Sequence, residues 1–167
     1  MKLKCSMQTP LGGMEAFLED GSLCRLSFVG QKYATLDDGE WLQDQEHPLF
    51  VRLRSQLEAY FAGQPPLFDL PLAPRGTAFQ VAIWSLLRAI PLGITTTYGA
   101  LARQVAGQRE GRIPSAQAVG GAVGRNPIAI IIPCHRVIGA DGSLTGYAGG
   151  LERKAALLTL EHVEYRP

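Results

Sequence analysis

The sequence predicts a small α/β amino-terminal domain, an antiparallel sheet plus one helix, followed by a mostly helical carboxy-terminal domain with a helix-turn-helix. Three observations carry this prediction. The first 45 positions are short apolar runs broken by turn residues. An apolar stripe at helical spacing starts near His47. Beyond residue 76, capping residues precede the apolar-periodic runs. The 167 residues leave room for one large or two small domains, and 46% apolar against 19% charged residues supply a core and exclude disorder.

Residues 2–7 and 13–19 read as strands flanking the turn Thr9-Pro10-Leu11-Gly12, and Asp20-Gly21 leads into a third strand over 23–29. The polar stretch 31–46 reads as loop. A helix starts near His47-Pro48, because proline is tolerated in a first turn. Leu49, Phe50, Leu53, Leu57, Tyr60 and Phe61 share its apolar face, and Gly63 stops it. Pro65, Pro66, Pro71 and Pro74-Arg75-Gly76 mark a connector, which places a boundary at about residue 73 and divides the chain into 1–73 and 74–167. Thr77-x-x-Gln80 has the form of a capping box before Phe79, Ile83, Leu86, Leu87 and Ile90. Pro91-Leu92-Gly93 ends that helix. Thr97 is placed to cap a helix over 98–106, and Ser115 one reaching about Arg125. The pair resembles a helix-turn-helix whose connection exceeds the usual three to four residues. A last helix over 151–162 carries Leu151, Ala155, Leu158 and His162 at helical spacing.

Composition excludes several classes. The longest aliphatic run, 128–132, is far too short to span a membrane, and residues 1–10 lack the apolar core of a secretory leader. Three cysteines, Cys5, Cys24 and Cys134, make no disulfide scaffold and point to a reduced, cytoplasmic protein. No short-spaced Cys/His set suits zinc, and phosphate-loop and dinucleotide fingerprints are absent. The net charge of +1 conceals an asymmetry: residues 1–73 hold 6 Lys+Arg and 10 Asp+Glu, and residues 74–167 hold 10 and 5. A basic second half suits a polyanionic partner, although chance partition of surface charge gives the same pattern.

The chemistry concentrates where the aliphatic run meets Pro133-Cys134-His135-Arg136-Val137. A thiol attacks only as thiolate, so the sulfur must be accessible and ionisable, and a neighbouring imidazole or cation promotes that. The alternative is a small buried hydrophobe beside a satisfied histidine. Glu161, among leucines on the last helix, is a candidate partner to orient His135. Gly146-Tyr147-Ala148-Gly149-Gly150 lets backbone approach a ligand, or is a plain surface loop. The run 118–124 is a helix of small residues only, and each glycine there costs about 0.8–1.0 kcal/mol against alanine. Close approach to a nucleic-acid groove and tight internal packing both explain it.

These residues resemble the O6-alkylguanine-DNA alkyltransferase family, the methylated-DNA–protein-cysteine methyltransferases. The resemblance is carried by Gly76-Thr-x-Phe-Gln80, Trp84, Ile90-Pro-x-Gly93, Thr97-Tyr98, Leu101-Ala102, Ala118-Val-Gly120, Asn126-Pro127, Ile132-Pro-Cys-His-Arg-Val-Ile138, Gly146-Tyr147, Gly149-Gly150, Lys154, Leu157-Leu158 and Glu161. It is close over 76–161 and loose before that. It implies a structural amino-terminal domain, a winged-helix-like second domain, and single-turnover transfer of an alkyl group from O6 of guanine in double-stranded DNA, and possibly O4 of thymine, to Cys134. Cys134, His135 and Glu161 become a relay through water, and Tyr98 the proton donor to the leaving base. Asn126 anchors the turn, and Val137, Tyr147, Ala148 and Gly149 line the guanine pocket. Thr97, Tyr98, Ser115, Gln117, Ala118, Gly121, Gly124 and Arg125 face DNA. No cofactor, metal, membrane or protein partner is implied, and a monomer is expected. Gln117 stands where many members place an intercalating arginine, and Ala148 where some have serine. Rival expectations are a cysteine hydrolase built on Cys134, His135 and Glu161, a non-reacting sensor of alkylated bases, and a plain helix-turn-helix regulator.

Overall fold

The computed structural model describes residues 1–33, 39–109 and 111–167. The chain divides into two compact units, 1–75 with 127–129, and 76–126 with 130–167.

In the first unit, strand β1 (Lys2–Thr9) pairs antiparallel with β2 (Gly12–Glu19), in register from Lys2 opposite Glu19 to Thr9 opposite Gly12. Thr9 closes the turn: its hydroxyl donates to the Gly12 carbonyl at 2.7 Å and accepts from the Leu11 amide at 3.1 Å. β2 pairs with β3 (Ser22–Phe28) across Asp20-Gly21, both at positive φ, the geometry that two-residue hairpin loops prefer. Leu3, Cys5 and Met7 alternate inward on β1. Helix α1 (Pro48–Phe61) buries Phe50, Leu53, Leu57 and Tyr60, and His47 caps it by accepting the Leu49 amide on Nδ1 at 3.1 Å.

Two sequence expectations need correction here. The stretch 31–46 is not all loop. Leu42–Gln43 forms strand β4, parallel to Leu3 and Lys4, although its Leu42 side chain is exposed. Main-chain pairing formed it, with no apolar pattern to announce it. Residues 34–38 of that predicted loop lie outside the described residues. The aliphatic run 128–132 is buried apart from the half-buried Ile131, but is no strand. Pro127 and Pro133 bracket it, Ile130 takes φ 70°, and only Ile128 makes a bridge, to Leu26 of β3.

The second unit begins with α2 (Ala78–Arg88). Its capping box is complete: the Gln80 amide donates to Thr77 Oγ1 at 3.1 Å and the Thr77 amide to Gln80 Oε1 at 3.0 Å. Strand β5 (Thr96–Thr97) leads into α3 (Tyr98–Arg109), longer than predicted, with Thr97 Oγ1 accepting the Ala100 amide at 3.1 Å. α4 (Ala116–Gly124) is capped by Ser115, which accepts the Ala118 amide at 3.0 Å. The Trp84 indole donates to the Ala122 carbonyl at 2.8 Å and ties α2 to α4. β6 (Val137–Ile138) pairs parallel with β5. α5 (Leu151–Leu160) turns Lys154, Leu157 and Leu158 inward. Its predicted Leu151–His162 stripe does not hold: Leu151 is exposed, the helix ends at Leu160, and His162 leaves at φ 59° into solvent.

A Cβ on Gly76 would sit 2.4 Å from the Trp84 ring. Gly76→Ala is therefore expected to destabilise the protein by about 1–3 kcal/mol through overpacking, measured by urea unfolding.

Candidate active site

Pro133 stops regular structure, and Cys134–Arg136 fold into one 3-10 turn. The turn is held by the Cys134 amide to Ile132 O at 2.8 Å, the Arg136 amide to Pro133 O at 3.0 Å, and the Asn126 side-chain amide to Ile132 O at 2.7 Å. Such a turn lets consecutive side chains converge on one interior. Cys134 is 7% exposed, and His135 and Glu161 are buried with it. The sequence expectation of an accessible sulfur is not met: Cys134 is a buried residue. Burial pushes the Cys134 thiol up, against a hydrogen bond from Asn126 and the charge of Lys154.

Glu161 caps α5 and aims its carboxylate at the turn. It receives His135 Nε2 at 2.6 Å, Arg136 Nε at 2.7 Å, and the second Arg136 nitrogen at 3.1 Å. Arg136 also donates to the Ile90 carbonyl at 2.7 Å. With two guanidinium donors the carboxylate is ionised, so His135 Nε2 carries the hydrogen and Nδ1 is the basic nitrogen. Nδ1 is buried and hydrogen-bonds no protein atom. Burial lowers the His135 pKa despite Glu161, so the ring is neutral at neutral pH and poised to take a proton. The contact is accordingly a hydrogen bond until His135 is protonated.

The site holds two residues to which sequence reasoning gave no role. Lys154 is fully buried, donating to Val137 O at 2.6 Å and to Thr145 Oγ1 and Gly146 O at 3.3 Å each. Burial brings its pKa down to about 8, with Cys134 opposing. Thr145 Oγ1 in turn meets Tyr98 Oη at 2.6 Å, and burial raises the Tyr98 phenol. Lys154 shares the spacing of Leu157 and Leu158, the available signal that it points inward; Thr145 carries none. Among the described residues of the second unit, the five buried polar or charged side chains, Asn126, His135, Arg136, Lys154 and Glu161, belong to this one cluster.

Tyr98 connects the cluster to α4: its ring lies 3.8 Å from where a Cβ on Gly120 would stand. Val119, Ala122 and Val123 are the buried side of α4, while Ser115, Gln117, Ala118, Gly121 and Arg125 are exposed. A Cβ at Gly121 or Gly124 would meet nothing within 4 Å. Internal packing therefore explains Gly120, against Tyr98, but not Gly121 or Gly124. Val137 lies buried in β6, Thr97 half-buried in β5, and Tyr147 and Ala148 half-buried beside a buried Gly149. The Gly149 carbonyl accepts from Arg153 at 3.1 Å.

Removing the Glu161 carboxylate strands the buried Arg136 guanidinium. Glu161→Ala is expected to cost about 3–5 kcal/mol in urea unfolding, and Arg136→Ala a comparable amount because it strands the carboxylate. The double variant should lose much less than the sum of the two.

Two family models cover nearly the whole chain. The 6-O-methylguanine DNA methyltransferase ribonuclease-like domain matches residues 3–74, and the DNA binding domain of the same family matches 78–163. The methylated-DNA–protein-cysteine methyltransferase of Haemophilus influenzae is 43% identical over 158 residues, covering 94% of this chain and 84% of its own. That of Methanosarcina acetivorans is 45% identical over 155 residues, covering 92% and 94%. Mycobacterium tuberculosis OGT, solved in complex with DNA, superposes with a TM-score of 0.82 at 44% identity, covering 95% of this chain and 91% of its own. A buried Cys-His-Glu cluster beside a small-residue helix, on a chain matched from end to end, places this protein in the 6-O-methylguanine DNA methyltransferase family.

Proposed function

We propose that the protein repairs DNA by moving an alkyl group from O6 of guanine onto Cys134, once per molecule. The observation that carries this reading is the directed hydrogen bond of His135 Nε2 to Glu161, which leaves a basic Nδ1 on the residue adjacent to the thiol. His135 Nδ1 takes the thiol proton, directly or through one water, and Glu161 stabilises the imidazolium. The thiolate attacks the alkyl carbon. A C–S bond forms, the C–O bond breaks, and its electron pair goes to the base. Tyr98 gives the departing base a proton, since a neutral guanine leaves more readily than an anion. The product thioether has no leaving group, so the reaction stops after one turn. The possible action on O4 of alkylthymine rests on the family resemblance alone.

The partner is duplex DNA, and the reacting base must leave the stack, at a cost of a few kcal/mol. α4 suits the docking face: Gly121 and Gly124 project nothing, and a smooth helix enters a minor groove that bulky side chains would have to widen. Gln117, exposed at the start of α4, is the wedge that fills the vacated stack, and Arg125 contacts phosphate. Asn126 anchors the turn through Ile132. Val137, Tyr147, Ala148 and Gly149 line the base pocket, while the unit built on residues 1–73 is structural. Three cysteines, Cys5, Cys24 and Cys134, outside any disulfide support a reducing, cytoplasmic compartment. The protein acts as a monomer without a cofactor.

Intact-protein mass spectrometry after incubation with an O6-methylguanine duplex tests the reaction. The expected result is one gain of about 14 Da, the mass of one methylene, abolished in Cys134→Ser. Repeated turnover would point to a hydrolase, and tight binding without mass gain to a sensor. For the docking face, Gly121→Leu should leave thermal stability unchanged or raised, because its Cβ meets open space and leucine is the better helix former. It should nonetheless weaken duplex binding at least tenfold, read by fluorescence anisotropy, and Gln117→Ala should slow transfer more than it weakens binding.

A further inference from the structure

The first unit carries a cleft of about 470 Å³ between the β1–β2 turn and the second half of α1, and the residues lining it all belong to that unit. Small-molecule sites run roughly 300–1,000 Å³. Arg54, Leu57, Glu58 and Phe61 line it at helical spacing, so one face of α1 forms one wall. Met7, on the inward side of β1, and Pro10 of the turn face them. The walls are therefore mostly apolar, with Met7 and Leu57 buried and Phe61 half-buried.

Charge enters at two points. Arg54 is half-buried and hydrogen-bonds the Cys5 sulfur, while its Nη1 is shut off from solvent and hydrogen-bonds no protein atom. Burial pushes the Cys5 thiol up to about 11, so Cys5 is neutral at neutral pH and gives Arg54 no counter-charge. Glu58 stands one helical turn along and is exposed. Among the described residues no carboxylate forms an ion pair with Arg54, Glu58 included. A buried guanidinium nitrogen in this state costs free energy until an oxygen acceptor reaches it.

We propose that this cleft is a binding site for a small amphipathic monocarboxylate, its carboxylate on Arg54 and its apolar body along Met7, Leu57 and Phe61. A guanidinium only donates, so the ligand must bring the acceptor, and a carboxylate is the acceptor that a guanidinium holds best. The body must be apolar because the wall offers it little else: the Thr9 hydroxyl is already engaged with Gly12 and Leu11 of its own turn. Glu58 adds a negative charge to the same cleft and disfavours dianions and polyphosphates. None of these residues belongs to the cluster around Cys134, so the site stands independently of the alkyl-transfer reading and gives the first unit a role besides structure.

The test titrates the full chain with 3-phenylpropionate and, in parallel, with its neutral amide, followed by proton–nitrogen correlation spectra. The carboxylate should give saturable shifts centred on residues 7–10 and 54–62, with a Kd below about 1 mM, and the amide should bind at least about tenfold more weakly. Arg54→Met removes an unsatisfied buried donor, so it should keep or raise the melting temperature while weakening carboxylate binding at least about tenfold. Glu58→Gln should bind the carboxylate as tightly as wild type or more tightly. Absence of saturable shifts up to about 10 mM, shifts centred elsewhere, or equal affinity for acid and amide overturns the site. So does an Arg54→Met protein that binds the carboxylate as wild type does. Weaker binding by Glu58→Gln overturns the ligand class, since it would point to a zwitterion bridging both charges. The comparison of acid with amide uses wild type alone and decides the matter whether or not Arg54→Met folds.

Discussion

The Glu161 carboxylate is the constraint on which the site depends. A lone carboxylate buried in this interior would cost several kcal/mol, more than most single packing defects. It persists because Arg136 grips both of its oxygens and His135 takes one of them. That pairing does three things together. It fastens the 3-10 turn to the end of α5, it fixes the imidazole tautomer, and it leaves His135 Nδ1 as the basic nitrogen. A different residue at 161 would change the protonation of His135 as well as the packing. Structure and chemistry at this site are one set of bonds.

The α4 face answers a different demand. Glycines make a helix intrinsically poor, and the penalty is usually offset by close internal packing. Here Val119, Ala122 and Val123 do the packing, and Gly121 and Gly124 face open space. Their smallness is left to serve something outside the chain. The basic balance of residues 74–167 agrees with a polyanion there. Gly120 is the exception, because Tyr98 lies against it. One helix thus presents a smooth side outward and holds Tyr98 on its flank.

Local signals carried most of the fold. The Thr77–Gln80 capping box, the Thr97 and Ser115 caps and the Asp20-Gly21 turn are bonds between neighbours in sequence, so composition and spacing reveal them. The pairing of His135 with Glu161 was legible because a carboxylate amid Leu157, Leu158 and Leu160 needs a buried partner. What escaped was non-local. β4 and the β5–β6 pair are two residues per strand and exist only through main-chain bonds to distant segments. The run 128–132 has the composition of a strand but is turned by its flanking prolines. Lys154 and Thr145 meet through a loop whose path no periodicity specifies.

The charges of the cluster close the account. Arg136 and Lys154 are two buried cations, and Glu161 is one buried anion, so the cluster is positive by one while Cys134 is a thiol and His135 neutral. Burial works against ionising Cys134 and against keeping Lys154 charged. Their mutual attraction opposes both effects, so the thiolate and the ammonium are each most stable in the other's presence. In the proposed transfer, moving the thiol proton to His135 creates the missing anion without adding net charge, and Glu161 is already in place to receive the imidazolium. Alkylation then consumes that anion. The ammonium that stabilised the nucleophile becomes the group whose charge the interior least tolerates. On that proposal the electrostatics of the site favour one forward reaction, from thiolate to thioether.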